Sequence, residues 1–234
     1  MRNNSEFTLI LPTLNEEATI GKLINYVLLH YRGMRVLVVD DGSTDGTERI
    51  VNGISKAHKE VRLINRKKLG LAKGLTASIV QGILASKTKY AIVMDADLQH
   101  PPEVIGKLAD CLAKGNDMAV ATRARVRHWA LYRKLISKGL MLFGKLVLVA
   151  KGKKTCKDIF SGFFGIRQKL FASTYASNKE RFVGYGYKAL FDFLKCADSN
   201  IRLCEVPYAF MTRKSGKSKA GIRQGLALFR SFFT

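Results

Sequence analysis

Five short runs, at residues 7–11, 36–39, 61–64, 90–94 and 118–121, are almost continuously apolar. A strand with one wet face alternates apolar and polar residues, so runs like these must be covered on both faces. Between them lie segments at 19–29, 45–54, 74–85 and 104–113 with helical spacing, as in Ile20, Leu23, Ile24, Val27 and Leu28. Repetition of this unit predicts an α/β fold, with a mostly parallel sheet flanked by helices. The 234 residues suit one domain and can bury a substantial core.

Beyond Thr122 the pattern changes. The basic stretch RARVRHWALYRKLISKG leads into a long apolar helix that runs to about Val149. A basic loop, KGKKTCKD, and an aromatic cluster, FSGFFGIRQ, follow. A helix is expected at 187–196 and a strand at 203–206, then a second basic run, TRKSGKSKAGIRQ, and a short amphipathic helix, GLALFRSFFT. The segment GLMLFGKLVLVA carries Lys145 and falls short of the roughly 20 apolar residues a membrane span needs. The N-terminal MRNNSEFTLILPT is too short in its apolar part for a signal peptide. Cys111, Cys156, Cys196 and Cys204 form no CxxC pair, which predicts reduced, core-filling thiols in a reducing compartment.

Charge narrows the partners. Forty Lys and Arg against 18 Asp and Glu give a net +22, which favours nucleic acid, anionic lipid headgroups or phosphorylated substrates. A nucleic-acid binder would want stacking platforms or a groove-reading helix, and neither is evident. Carboxylates also collect where strands end: Glu16, Asp40 with Asp41, and Asp95 with Asp97 in VMDADLQHPPE. Ligands of open α/β sheets bind at those ends. Crowded carboxylates resist ionisation unless a cation offsets them, and Asp97 with Gln99 offers two hard oxygens. Mg2+ or Mn2+ uses one or two carboxylates and completes its shell with phosphate and water. Helix capping is the other use of such aspartates; it suits Asp45, whereas Pro101-Pro102 starts the next helix without Asp95 and Asp97. The loop DDGSTDGT is neither a P-loop nor a GxGxxG turn, which argues against an NTPase and a dinucleotide oxidoreductase.

LPTLNEE, VVDDGSTDGT, VMDADLQHPPE, SGFFGIR and RKSGKSK occur in this order. With them the chain resembles family 2 glycosyltransferases of the GT-A fold, and more narrowly the dolichol-phosphate mannose synthases. The resemblance implies a Rossmann-like GT-A catalytic domain over 1–221 and a C-terminal amphipathic interface helix over 222–234. It implies transfer of mannose from GDP-mannose to dolichyl or another polyprenyl phosphate, with inversion, in a metal-dependent single displacement. Pro12, Leu14, Glu16, Val39 and Asp41 would hold the nucleoside, and Asp95, Ala96 and Asp97 the ribose and diphosphate. Asp97 and Gln99 would bind the metal, and Asp95 would touch the sugar. Arg213 and Lys219 would close over the donor diphosphate, while Arg123, Arg133 and Ser137 would hold the acceptor phosphate, with Arg123 also near the donor. His100 is expected to support the metal motif, and Asp158, Ser161 and their aromatic neighbours to line a pocket or fill the core.

An acceptor phosphate monoester titrates near pH 6, so it is already an anionic nucleophile and needs no general base. The excess of basic residues, including Arg125, Arg127 and Lys134, implies an anionic membrane surface as partner. The implied location is the cytoplasmic face of a membrane, peripheral or through membrane segments absent from this chain. A polyprenyl-phosphate glucosyltransferase using UDP-glucose is the alternative in the same class.

Overall fold

The computed structural model describes residues 3–125, 131–184, 188–211 and 231–232, without the side chains of residues 125 and 131–136. Its first half repeats a strand–helix unit: β1 (Phe7–Thr13), α1 (Glu17–His30), β2 (Arg35–Asp40), α2 (Thr47–Ala57), β3 (Val61–Asn65), α3 (Leu75–Ala85), β4 (Tyr90–Val93), α4 (Val104–Ala113) and β5 (Met118–Arg125). The second half adds α5 (Leu131–Ala150), β6 (Phe164–Arg167), α6 (Gln168–Ser177), α7 (Ala189–Cys196) and β7 (Leu203–Ala209). The seven strands form one sheet in the order β3-β2-β1-β4-β6-β5-β7. All pairings are parallel except those of β6, which runs antiparallel to β4 and to β5.

Both faces of the sheet are covered, as the continuous apolar runs require. Leu9, Leu11, Val36, Val38 and Ile92 pack with Ile24 of α1 and Leu108 of α4. Their neighbours Ile10, Val39, Ala91 and Val93 pack on the other face with Ile79 and Ile83 of α3 and Phe191 of α7. Strand β6 and helix α6 were not foreseen. Four residues within an aromatic cluster are too few to show a strand period, and antiparallel insertion between parallel strands leaves no mark in a single segment. Gly165 of β6 is set by packing: a Cβ there would fall 2.7 Å from Leu112 Cδ1 of α4.

The sheet opens where β1 outruns β4. Their ladder ends with the Met94 amide donating to the Ile10 carbonyl at 3.1 Å, while β1 and β2 stay paired to Thr13 and Asp40. Backbone groups alternate in direction along a strand, so Pro12 turns its nitrogen toward β4 past the end of that ladder. A residue without an N–H loses no hydrogen bond there. This crevice, between strands whose connections leave in opposite directions, is where open α/β sheets bind ligands.

One expectation changes, and another falls mostly outside the described residues. Cys111 of α4 and Cys204 of β7 are disulfide-bonded, with Cα atoms 6.2 Å apart and 93 residues between them. That corrects the reading of four free thiols: α4 lies over the β7 edge, a juxtaposition that cysteine spacing cannot show. Cys156 and Cys196 are free, and burial, followed by the charge of Glu205, pushes the Cys156 thiol up to about 12. Of the expected terminal helix only Ser231 and Phe232 fall within the described residues, and Phe232 is buried against Phe143, Phe191 and Phe160 at centroid distances of 4.8, 5.4 and 6.3 Å. Leu226, Phe229 and Phe233 lie outside them. No helix among the described residues is long and apolar enough to cross a membrane.

Candidate active site

One wall of the crevice is a pair of stitched loops. Asn15, left-handed at φ 54°, takes the amide of Thr44 on its side-chain oxygen at 2.8 Å and donates its own amide to Ser43 Oγ at 2.8 Å. Asn is among the few residues for which that backbone conformation is cheap. The N-cap of α2 is Gly46 and not Asp45 as expected; Asp45, one residue before it, accepts from the amide of Thr47 at 3.0 Å and from that of Glu17 at 3.1 Å, and so ties the starts of α2 and α1 together. Asp40 is fully buried and accepts from the amides of Gly42 and Ser43, from Thr13 and from the Ser43 hydroxyl. A carboxylate satisfied so thoroughly shapes its loop; it has little capacity for ligand.

Asp41 likewise has protein partners on both oxygens. Arg66 Nε donates to Oδ1 at 3.0 Å and the Gly74 amide to Oδ2 at 2.7 Å. Arg66, itself buried, also reaches the Ala72 carbonyl at 2.6 Å. A carboxylate has about four lone-pair sites, so one further donor from a nucleoside can be met. Glu16 begins α1, half-buried, and its Oε2 accepts from Thr19 at 3.3 Å. Leu14 is half-buried beside it. The side chain of Val39 is fully buried in the α3-side core, which leaves its backbone as the part that borders the strand ends.

The opposing wall is the loop after β4. Neither Asp95 nor Asp97 caps α4, in line with the sequence reading. Leu98 is left-handed at φ 59°, an uncommon state for a branched residue that marks a tightly determined turn. It folds the chain back so that His100 Nε2 lies 3.3 Å from Asp95 Oδ2. Asp97 is buried and accepts the Gln99 amide at 3.0 Å. Gln99 exchanges bonds with Met211 just past β7: its Nε2 donates to the Met211 carbonyl at 3.3 Å, and the Met211 amide to the Gln99 carbonyl at 3.0 Å. Ala96 is buried between the two aspartates.

Arg123, near the end of β5, forks onto Asp158, with Nε 2.6 Å from Oδ2 and Nη2 2.9 Å from Oδ1. Burial works against the Arg123 cation, but Asp158 more than compensates, leaving its pKa above the usual value. Asp95 acts electrostatically on Arg123, and Asp95, Asp97, Asp158 and Arg123 all act on the buried Tyr208 hydroxyl, so these groups form one field. Ser161 donates to the Ala121 carbonyl at 2.7 Å, holding the 158–163 loop against β5. Asp158 is therefore a partner of Arg123, and Ser161 is structural. Pairing over 35 residues had no sequence signal.

Ser137 lies half-buried on α5; Arg133 shares that helix, its side chain outside the described residues, as are Arg213 and Lys219 altogether. No three His, Cys, Asp or Glu side chains among the described residues converge into a complete metal shell. Asp97 with Gln99 is an incomplete oxygen set, which fits a hard dication that draws further ligands from phosphate. A separate groove of about 510 Å³ runs between α3, Tyr175 of α6 and Phe182, and shares only Arg66 with the residues of the crevice.

The glycosyl transferase family 2 model matches residues 8–174. The dolichol-phosphate mannosyltransferase of Pyrococcus furiosus is 34% identical over 218 residues, covering 91% of this chain; the chain spans only 58% of that relative's length. The dolichol-phosphate mannosyltransferase of Saccharomyces cerevisiae is 28% identical over 233 residues, covering 92% of this chain and 80% of the relative. Glucosyl-3-phosphoglycerate synthase of Mycobacterium tuberculosis, solved with Mn2+, UDP-glucose and phosphoglyceric acid, matches with a TM-score of 0.63 at 18% identity, over 97% of this chain and 79% of that one. At that identity the likeness speaks for the fold.

Proposed function

The chain belongs to glycosyl transferase family 2, and we propose that it transfers mannose from GDP-mannose to dolichyl or a related polyprenyl phosphate, assisted by Mg2+ or Mn2+. The observation that carries this reading is the carboxyl edge of the sheet, where Glu16 follows β1, Asp41 follows β2, Asp95 and Asp97 follow β4, and the forked Arg123–Asp158 pair stands in the field of Asp95. The names of the relatives from Pyrococcus furiosus and Saccharomyces cerevisiae support the mannosyl and dolichyl assignments.

In this scheme Pro12, Leu14, Glu16 and Asp41 hold the nucleoside, while Asp95, Ala96 and Asp97 border the ribose, diphosphate and sugar. Asp97 and the Gln99 oxygen would hold the dication, which supplies positive charge against the departing diphosphate. Arg213 and Lys219 add fixed cations to the same diphosphate. Arg123, Arg133 and Ser137 aim the acceptor phosphate at the anomeric carbon, and its own negative charge makes it the nucleophile. Because Arg123 shares its charge with Asp158, it contributes fixed donor geometry more than bare attraction.

A membrane surface fits the outer face of α5. Leu142, Phe143, Leu146 and Val149 are exposed at helical spacings of three and four, on the helix that carries Arg133 and Ser137. Lys138, Lys151 and Lys154 are exposed nearby. An apolar stripe with basic neighbours suits an anionic lipid interface.

The test is a transfer assay with GDP-mannose and UDP-glucose in parallel, a short polyprenyl phosphate, and Mg2+ or Mn2+. Mannosyl transfer that stops with EDTA is expected. Glucosyl transfer from UDP-glucose in its place would overturn the donor assignment, and metal-independent turnover the role of Asp97. Arg133→Ala should raise the acceptor KM; unchanged acceptor dependence would remove it from that site.

A further inference from the structure

His100 is a buried group of the crevice that this scheme leaves without a task. It sits among rings, with Phe163, Phe210 and Tyr208 at centroid distances of 5.2, 5.4 and 5.6 Å. Both of its nitrogens are engaged. Nε2 lies 3.3 Å from Asp95 Oδ2, and Nδ1 lies 2.8 Å from the Tyr208 hydroxyl. An ionised carboxylate only accepts, so Nε2 carries the hydrogen; in the neutral ring Nδ1 then accepts, and Tyr208 donates. The chain of donors has one direction, from Tyr208 through His100 to Asp95.

We propose that His100, oriented by Tyr208 of β7, is a positioning residue that holds the Asp95 carboxylate in the one orientation from which it meets the transferred sugar. This rests on the donor reading above. Three observations converge on it. Asp95 is 33% exposed and so faces the crevice, whereas His100 behind it is only 5% exposed. Gly162 leaves room beside the same carboxylate oxygen, since a Cβ there would stand 3.1 Å from Asp95 Oδ2. The left-handed turn at Leu98 brings His100 back under Asp95, a strained conformation that persists where its surroundings fix it. The carboxylate is thus held through Oδ2 by His100, with the Gly162 backbone close beside it. The link also joins the loop after β4 to β7, in parallel with the Gln99–Met211 bonds.

The experiment separates the sugar from the rest of the donor. GDP-mannose and GDP are titrated calorimetrically with Mn2+ into wild type, His100→Asn, His100→Gln and Tyr208→Phe. A Gln amide nitrogen can stand where Nε2 stands and still donate to Asp95; Asn reaches only the Nδ1 position. Losing a hydrogen bond to a charged group predicts roughly tenfold weaker GDP-mannose binding in His100→Asn. GDP binding should be unchanged, with most of the GDP-mannose loss recovered in His100→Gln and a smaller loss in Tyr208→Phe. Equal losses for both ligands would reduce His100 to a packing residue, as would Gln behaving like Asn or wild-type affinity in His100→Asn. Ring 15N shifts of ligand-free wild type give an independent readout: Nε2 protonated and Nδ1 bare are expected. The opposite tautomer overturns the relay alone, whereas wild type that binds no GDP-mannose overturns the donor assignment and with it the sugar contact of Asp95.

Discussion

Lys195 and Asp192 of α7 stand 3.2 Å apart at side-chain exposures of 1% and 0%; Arg123 and Asp158 stand 2.6 Å apart at 20% and 6%. Both are largely buried ion pairs, and the first has further hydrogen bonds. Lys195 Nζ donates to the Ser231 carbonyl at 2.6 Å, and Ser231 Oγ donates to Asp192, so the first pair fastens the Ser231–Phe232 segment to α7. The second lies at the carboxyl edge of the sheet, in the field of Asp95 and Tyr208, with part of the guanidinium open to solvent. Burial raises the pKa of Asp192 and lowers that of Lys195, the marks of charges kept for architecture at an electrostatic cost. For Arg123 the partner outweighs burial and the cation is held firmly. What distinguishes a staple from a site is therefore solvent access and position on the sheet, since each is a basic side chain paired with an aspartate.

The sharpest way to break the comparison is to remove one carboxylate from each region. Asp97→Ala should cut transfer by at least roughly a hundredfold, the scale of losing one charge-stabilising group, with the denaturation midpoint nearly unchanged. Turnover close to wild type would take Asp97 out of the chemistry. Asp192→Ala should do the reverse. It strands Lys195 in the core and should cost about 3–5 kcal/mol in urea denaturation, while protein that remains folded binds donor normally. The double variant Asp192→Leu with Lys195→Met sharpens the point: an apolar replacement of the whole pair should be close to neutral. If it were as damaging as the single variant, the pair would have a role beyond fastening the chain.

The two regions also differed in how far the sequence disclosed them. Asp95 and Asp97 were visible because a continuous apolar run, residues 90–94, stops just before them, and strand ends are where α/β sheets gather ligands. The first four strands and α1 through α4 followed from the same periodicity, with α4 at Val104–Ala113 as expected. Partners were hidden. Asp158 for Arg123, Arg66 for Asp41, Tyr208 for His100 and Cys204 for Cys111 lie 35, 25, 108 and 93 residues away. Such meetings depend on strand order, and the insertion of antiparallel β6 between β4 and β5 sets that order. Periodicity reports which face a residue takes, and cannot report which element lies opposite.

A smaller effect is expected at Gly162, which separates geometry from charge within the site. Gly162→Ala places a Cβ 3.1 Å from Asp95 Oδ2, a contact the carboxylate can relieve by rotating away from His100. Loss of that aim predicts about tenfold slower transfer with little change in stability, on the scale of misplacing a reacting partner. Wild-type kcat in this variant would show that the orientation of Asp95 does not matter.

The smallest effect belongs to Asp45, which lies on the same rim as the site and acts as a fastener. Its carboxylate accepts from the first amides of α2 and α1. Burial nudges its pKa upward, but the hydrogen bonds from Thr47 and Glu17 outweigh that and leave it below the ordinary value. A carboxylate whose folded pKa is depressed adds stability above its unfolded pKa, and that stability is lost as the pH falls through the folded value. Asp45→Ala should therefore cost about 1 kcal/mol near neutrality, the usual net worth of a side-chain hydrogen bond to the backbone, and the difference from wild type should shrink in acid below the ordinary carboxylate range. Melting curves of the two proteins at neutral and acidic pH would measure it. A gap that persisted in acid would mean that the side chain contributes by packing, and would move Asp45 from the electrostatic rim of the crevice to its scaffold.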